Sequence, residues 1–300
     1  MAYLLFVTVL WAFSFSLIDV YLAGSVDSDF AVLSRVILAA LVFLPLLRLR
    51  ALPTRLILGM IGVGALQFGL TYLCLYRSFS YLSVPEVLLF TVTTPLYVTL
   101  INDALRGRFA PVALLAAVIA VFGAGLIRYD GIGDAFLTGF LLIQTANLGF
   151  AAGQVGYKHL IERFPVQTPP WRFFFLFFLG GLLVSGPSFL IFGDSTALPQ
   201  TGLQWGVILW LGLAASGAGL YLWNRGACLV DGGTLAVMNN LLIPAGLMVN
   251  LLIWNREADL SRLALGGGVI LLSLWINRRY SRYAMIYWRG REQRRVSGAD

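Results

Sequence analysis

Apolar stretches of about twenty residues alternate along this chain with short breaks of charged residues, prolines and glycines. A helix of that length matches the roughly 30 Å hydrocarbon core of a bilayer. The pattern predicts ten membrane-spanning helices, at 3–23, 29–47, 56–77, 83–102, 110–128, 135–158, 171–192, 203–226, 232–253 and 260–277.

Positive charge falls in alternate breaks, which sets the orientation. With the N-terminus inside, the cytoplasmic segments hold Arg48, Arg50, Arg55, Arg106, Arg108, Lys158, Arg163, Arg172, Arg225 and seven arginines of the tail, 16 in all. The outer segments hold Arg77, Arg128, Arg256 and Arg262, and Arg35 lies inside a span. The expectation is a polytopic all-α membrane protein with both termini in the cytoplasm. No signal peptide is evident before the first span, which is expected to be retained. Beyond residue 278, Tyr280, Tyr283 and Tyr287 share one helical face and Arg278, Arg282 and Arg289 the other, as in a helix lying on the inner leaflet.

Composition narrows the function. Hydrophobic residues make up 59% and charged residues 12%, more apolar surface than one soluble core could bury. The net charge of +7 lies beside spans rather than on a soluble module, so membrane lipid is the expected partner and nucleic acid is not. Cys74 and Cys228 have no metal-type spacing, His159 is the only histidine and Lys158 the only lysine. No zinc motif or phosphate loop is present, so neither a metal nor a cofactor is expected. A membrane enzyme would need a nucleophile, paired acids or metal ligands; the chain is read as a non-enzyme.

The two halves look related. Sliding the second half by 149 positions lays Tyr72-Leu73 on Tyr221-Leu222 and Pro95 on Pro244, and a slide of 136 lays Tyr21 on Tyr157. Five spans per half would leave the halves in opposite orientations. Inverted repeats of that kind place a substrate site near the membrane midplane, where kinks at Pro95 and Pro244 free backbone carbonyls.

Polar residues within spans usually face a bundle interior or a wet cavity. Helical spacing groups Gln67, Thr71, Cys74 and Ser78 on the third span, close to Tyr72. It groups Glu86, Phe90, Thr93 and Tyr97 on the fourth, and Gln144, Asn147, Gln154 and Lys158 on the sixth. Tyr221, Asn224 and Cys228 share the eighth with Trp223 alongside; Asn239 and Asn240 mark the ninth, and Trp11 and Phe15 the first. Amides in spans also serve as glue between helices, at roughly 0.6–2 kcal/mol each. A charge at the bilayer centre costs at least about 2.5–3.5 kcal/mol. Arg35 therefore either snorkels outward, pairs with an acid such as Glu86, or meets an anionic substrate. Glu86 is either solvated or functional, for instance as the carrier of a coupling proton.

These residues resemble a known family. Trp11-Ala-Phe-Ser-Phe-Ser16, Tyr21-Leu-Ala-Gly24, Thr94-Pro-Leu-Tyr97, Gly123-Ala-Gly125, Val155-Gly-Tyr-Lys158, Trp223-Asn224, Met238-Asn-Asn240 and Pro244-Ala-Gly-Leu247 are similar to motifs of the drug/metabolite transporter superfamily with two EamA-type repeats. Within it the chain looks most like the YigM-type bacterial biotin transporters of the carboxylate/amino-acid/amine branch. The resemblance covers all ten spans. It implies repeats at 1–130 and 131–278, a basic tail at 279–300, and secondary uptake of biotin or a similar small organic anion across the bacterial inner membrane by alternating access. Export of amino acids or other small metabolites is the alternative on this scaffold.

Biotin carries a neutral ureido ring, an apolar sulfur ring and a carboxylate. Asn147, Gln154, Asn224, Asn239 and Asn240 are the expected partners of the ureido group. Trp11, Phe90 and Trp223 are expected to cover the apolar ring. Arg35 or Lys158 would hold the carboxylate. Gln67, Tyr72, Glu86, Tyr97 and Gln144 complete the expected substrate site.

Overall fold

The computed structural model describes residues 1–105 except Ala51, residues 134–254 except Asp231, and eight single positions beyond them. The expected spans at 110–128 and 260–277, and the basic tail, lie outside the described residues but for those single positions. The described chain is all helical, with no strand. Among the described residues seven helices are long and apolar enough to cross a bilayer: α1 (Ala2–Tyr21), α2 (Ser28–Leu46), α3 (Thr54–Ser78), α4 (Val84–Leu105), α5 (Asp134–Arg163), α6 (Phe175–Phe192) and α7 (Gly202–Cys228). An eighth, α8 (Gly232–Ile253), is apolar over Met238–Ile253. The chain is a multi-pass membrane protein, and each described helix begins and ends within five residues of its expected span.

Local chemistry fixes the helix starts. Asp27 caps α2 by accepting from the Phe30 N–H at 2.7 Å, after a turn in which Gly24 takes φ +73°, a left-handed value that favours glycine. Ser83 and Glu86 form a capping box on α4, and Thr201 and Gln204 one on α7. Pro85 sits in the first turn of α4, where its missing N–H costs nothing.

Three helices carry interruptions that matter later. Helix α3 widens into a π-helical stretch over Ala65–Leu70, and α7 does so over Leu211–Ala218. Helix α4 tightens to 3-10 over Thr91–Thr93, just before Pro95. There the Thr94 N–H bonds Thr91 O rather than the α-helical Phe90 O, so Phe90 O is left to side-chain donors, the Thr93 hydroxyl at 3.0 Å among them. Pro244 lies inside α8 without ending it.

The core is aromatic on the α6 side. Phe174, Phe177 and Phe178 are fully buried, and Phe174 stacks on Phe177 at 4.9 Å. Helix α6 thus packs one face against α2 and α3. Its outward positions Leu183, Leu190, Ile191 and Phe192 are exposed. At one end of this trio, Nη2 of Arg77 donates to both Asp29 oxygens at 2.8 and 2.9 Å and to Ser188 Oγ at 3.2 Å, while Ser188 donates to Asp29. Asp29 is only 4% exposed, so its carboxylate depends on these donors. Arg77→Ala is expected to lower stability by about 1–3 kcal/mol, read from thermal unfolding in detergent. An unchanged midpoint would show that the cluster is ornamental.

Candidate functional site

Between the helices lies a cavity, partly open to its surroundings and lined by side chains from seven helices. Six helices besides α2 reach it. Helix α1 contributes Trp11, Ser14 and Phe15; α3 contributes Thr71 and Tyr72; α4 contributes Thr91 and Thr94. Helix α5 contributes Asn147 and Phe150, α7 Trp223, and α8 Asn239. Helix α2 supplies the one charge among the lining residues, Arg35.

One wall is aromatic. Trp11 and Trp223 lie 5.0 Å apart, and Phe150 meets Trp11 edge-on at 5.8 Å. Their polar edges are spoken for: Trp11 Nε1 donates to Ala215 O at 2.8 Å, and Trp223 Nε1 to Gln154 Oε1 at 3.1 Å. The rings therefore present faces rather than donors, a surface suited to a flat apolar ligand.

A second wall is built from the α4 interruption. The freed Phe90 carbonyl accepts from Asn147 Nδ2 at 2.9 Å, and the same nitrogen donates to Thr93 Oγ1 at 3.0 Å. Both amide hydrogens of Asn147 are thereby used, which leaves its Oδ1 as an acceptor. Pro95 thus reaches the site through three steps: a lost helical bond, a free carbonyl, and an amide held in one orientation. Behind this wall Gln144 Oε1 accepts from Thr93 at 2.7 Å and from Tyr97 Oη at 3.1 Å. Asn239 is oriented from its own helix, donating to Leu235 O at 2.9 Å.

Arg35 is 1% exposed. Its Nε and Nη2 donate to Ser216 Oγ at 3.1 and 2.9 Å, and Nη1 donates to Tyr76 Oη at 2.8 Å. The guanidinium lies 4.6 Å from the ring centre of Tyr72 and 5.5 Å from that of Tyr76. Among the described residues no carboxylate is within ion-pair distance of it. Snorkelling and pairing with Glu86 are both ruled out for this arrangement; the charge is held by neutral oxygens and π faces.

Of the sequence-predicted residues, Trp11, Arg35, Tyr72, Asn147, Trp223 and Asn239 meet at the cavity. Phe90, Tyr97, Gln144 and Gln154 stand behind its walls as partners of those residues. The other five lie elsewhere. Glu86 accepts from the Ser83 N–H and hydroxyl, both at 2.8 Å, at the head of α4. Lys158 Nζ donates to Val230 O at 2.8 Å. Asn224 donates to Leu220 O on its own helix, at 3.1 Å. Gln67 is fully buried against Gly153, where an added β-carbon would lie 2.1 Å from Gln67 Cβ. Asn240 Oδ1 is buried with no hydrogen-bond partner among the described residues.

Ser14, Thr91 and Thr94 line the cavity and were not singled out by the sequence, nor was Ser216. A signal existed for Ser14, which follows Trp11 by three positions and shares its face. None existed for Ser216. It sits in the π-helical stretch of α7, so a 3.6-residue stripe drawn back from Tyr221 and Asn224 passes it by.

Comparison with known proteins follows the same lines. The profile of the EamA-like transporter family matches residues 1–129. A probable biotin transporter of Pseudomonas aeruginosa is 62% identical over 278 residues, covering 93% of this chain and 97% of the relative. The biotin transporter of Escherichia coli K12 is 49% identical over 281 residues, 93% of each chain. A solved crystal structure shares the fold with a TM-score of 0.63 at 16% identity, over 93% of this chain and 96% of the other. With a profile match across the first four helices and full-length relatives at this identity, the chain belongs to the EamA-like transporter family.

Proposed function

We propose that the protein is a secondary transporter, not an enzyme, that takes up biotin across the bacterial inner membrane by alternating access. The observation that carries this reading is the placement of Arg35: a buried cation without a carboxylate partner among the described residues, facing a cavity walled by amides and indole faces. An anionic, ring-bearing ligand completes that site. The biotin-named relatives, similar over 93% of this chain, favour biotin among such ligands. In this reading Arg35 holds the carboxylate, Asn147 Oδ1 accepts a ureido N–H, and Trp11 and Trp223 cover the sulfur ring.

The ten-helix inverted-repeat architecture, with repeats at 1–130 and 131–278 and both termini cytoplasmic, belongs to the same proposal. A slide of 149 positions carries the π-helical stretch 65–70 onto 214–219, which overlaps the second one at 211–218. Two such rare elements in matching register support a common unit.

The direct test is accumulation of radiolabelled biotin in liposomes holding the purified protein, with and without a proton gradient. Saturable uptake competed by unlabelled biotin is expected; liposomes indistinguishable from protein-free ones would sink the proposal. In the same assay Asn147→Leu is expected to raise KM for biotin about tenfold, since it removes the acceptor for the ureido N–H. An unchanged KM would remove Asn147 from the site.

A further inference from the structure

A guanidinium has five N–H groups, and in Arg35 three are spent inside the protein. Nε and Nη2 converge on the single oxygen of Ser216, and Nη1 donates to Tyr76. One N–H remains on Nη1 and one on Nη2, a pair that a carboxylate can bridge. Neither Ser216 nor Tyr76 belongs to the cavity wall, so both hold Arg35 from behind. Ser216 is fully buried and lies 181 positions from Arg35, in the π-helical stretch of α7.

We infer that Ser216, together with Tyr76, is a positioning residue for substrate: the two hydroxyls fix the guanidinium so that its remaining N–H pair is presented to a carboxylate in the cavity. This inference rests on the proposed anchoring of the biotin carboxylate by Arg35. Three features argue for it. The oxygens are neutral, so they orient the fork without cancelling its charge, as a structural carboxylate would. They come from two helices other than α2, so rotation of the long side chain is blocked at both ends of the fork. And the π-helical stretch has a local purpose on this view. The close packing of Gly212 on Leu38, where an added β-carbon would lie 2.7 Å away, holds that stretch against α2 beside Arg35. Preorganisation of this kind lowers the ordering cost that substrate binding would otherwise meet.

The test is selectivity rather than activity alone. Initial rates of biotin uptake into liposomes are measured with biotin and with its neutral carboxamide as competitors, for the wild type, Arg35→Gln, Ser216→Ala and Tyr76→Phe. Arg35→Gln is expected to collapse the preference for the acid over the amide. Ser216→Ala is expected to lower that preference about tenfold, mainly through KM for biotin, with a smaller loss for Tyr76→Phe. General damage to the fold would weaken both competitors together and leave the ratio in place. Should Ser216→Ala fail to accumulate in the membrane, Tyr76→Phe decides alone. If Arg35→Gln collapses the ratio while the hydroxyl variants retain the wild-type value, the positioning role is overturned and the anchoring stands. If Arg35→Gln itself leaves the ratio intact, the anchoring fails and this inference with it.

Discussion

Arg35→Gln is expected to cut biotin uptake at limiting concentration roughly a hundredfold, the cost of losing a bidentate, charge-assisted contact in a desolvated site. Glutamine keeps some hydrogen-bonding capacity near Ser216 and Tyr76, so the variant isolates the charge and the fork geometry from simple loss of packing. Arg35→Lys is the sharper control. Lysine retains the charge, but its compact ammonium has three donors on a flexible stem. It cannot hold Ser216 Oγ, Tyr76 Oη and both oxygens of a carboxylate at once, so it is expected to recover little of the lost uptake. The rise in KM should exceed any fall in maximal rate, because the contact is made in the bound ground state. Wild-type uptake by either variant at nanomolar biotin would mean that the carboxylate is bound elsewhere. Lys158 would not be the substitute on this geometry, since its ammonium is tied to the Val230 carbonyl away from the cavity.

How much of this site was legible beforehand depends on what kind of signal each residue carried. Helix positions were legible because the contrast between apolar spans and charged breaks is large and acts over twenty residues at a time. Shared faces were legible too: Trp11 with Phe15, and Asn147 with Gln154, follow helical spacing. What a face looks at is decided by other helices, and spacing is silent on that. Gln67 sits on the same stripe as Thr71, yet Thr71 lines the cavity and Gln67 is pressed against Gly153 on α5. Glu86 carried a readable signal that pointed elsewhere, because Ser83-Val-Pro-Glu86 is a capping-box sequence at a helix start. The fate of Arg35 was open for a physical reason: its partners on α7 and α3 are far away in the chain, and a π-helical stretch carries no periodicity that a 3.6-residue template detects. Pro95 was the exception among backbone irregularities. Its missing N–H leaves Thr91 O, four residues back, without its helical donor; the Thr94 N–H turns to Thr91 O, and the carbonyl that Thr94 gives up, Phe90 O, holds Asn147.

Gly64→Ala and Gly180→Ala are expected to be the most damaging single-methyl additions in the described chain, each costing about 3 kcal/mol or more. The two glycines form a reciprocal contact between α3 and α6. A β-carbon at Gly64 would lie 1.7 Å from the Phe177 carbonyl oxygen, and one at Gly180 would lie 1.9 Å from the Ile61 carbonyl oxygen. Both obstacles are backbone, so no change of rotamer relieves either clash; the helices themselves must separate. Without a hydrophobic driving force between helices in lipid, such close backbone approach is a main source of their attraction, and separation forfeits it along the whole contact. Gly62→Ala, two residues away on the opposite side of α3 with nothing within 4 Å of the new methyl, is the matched control and is expected to change stability by less than about 1 kcal/mol. Thermal unfolding in detergent and the monodisperse fraction on gel filtration read the difference; equal behaviour of Gly64→Ala and Gly62→Ala would refute the packing argument. The damage should also reach the cavity. Gly64 immediately precedes the π-helical stretch Ala65–Leu70, and Thr71 and Tyr72 of the cavity wall immediately follow it. Tyr72 is the ring face nearer to the Arg35 guanidinium. Any Gly64→Ala protein that survives folding is therefore expected to bind biotin more weakly, because a displaced α3 moves the aromatic face from beneath the cation that anchors the substrate.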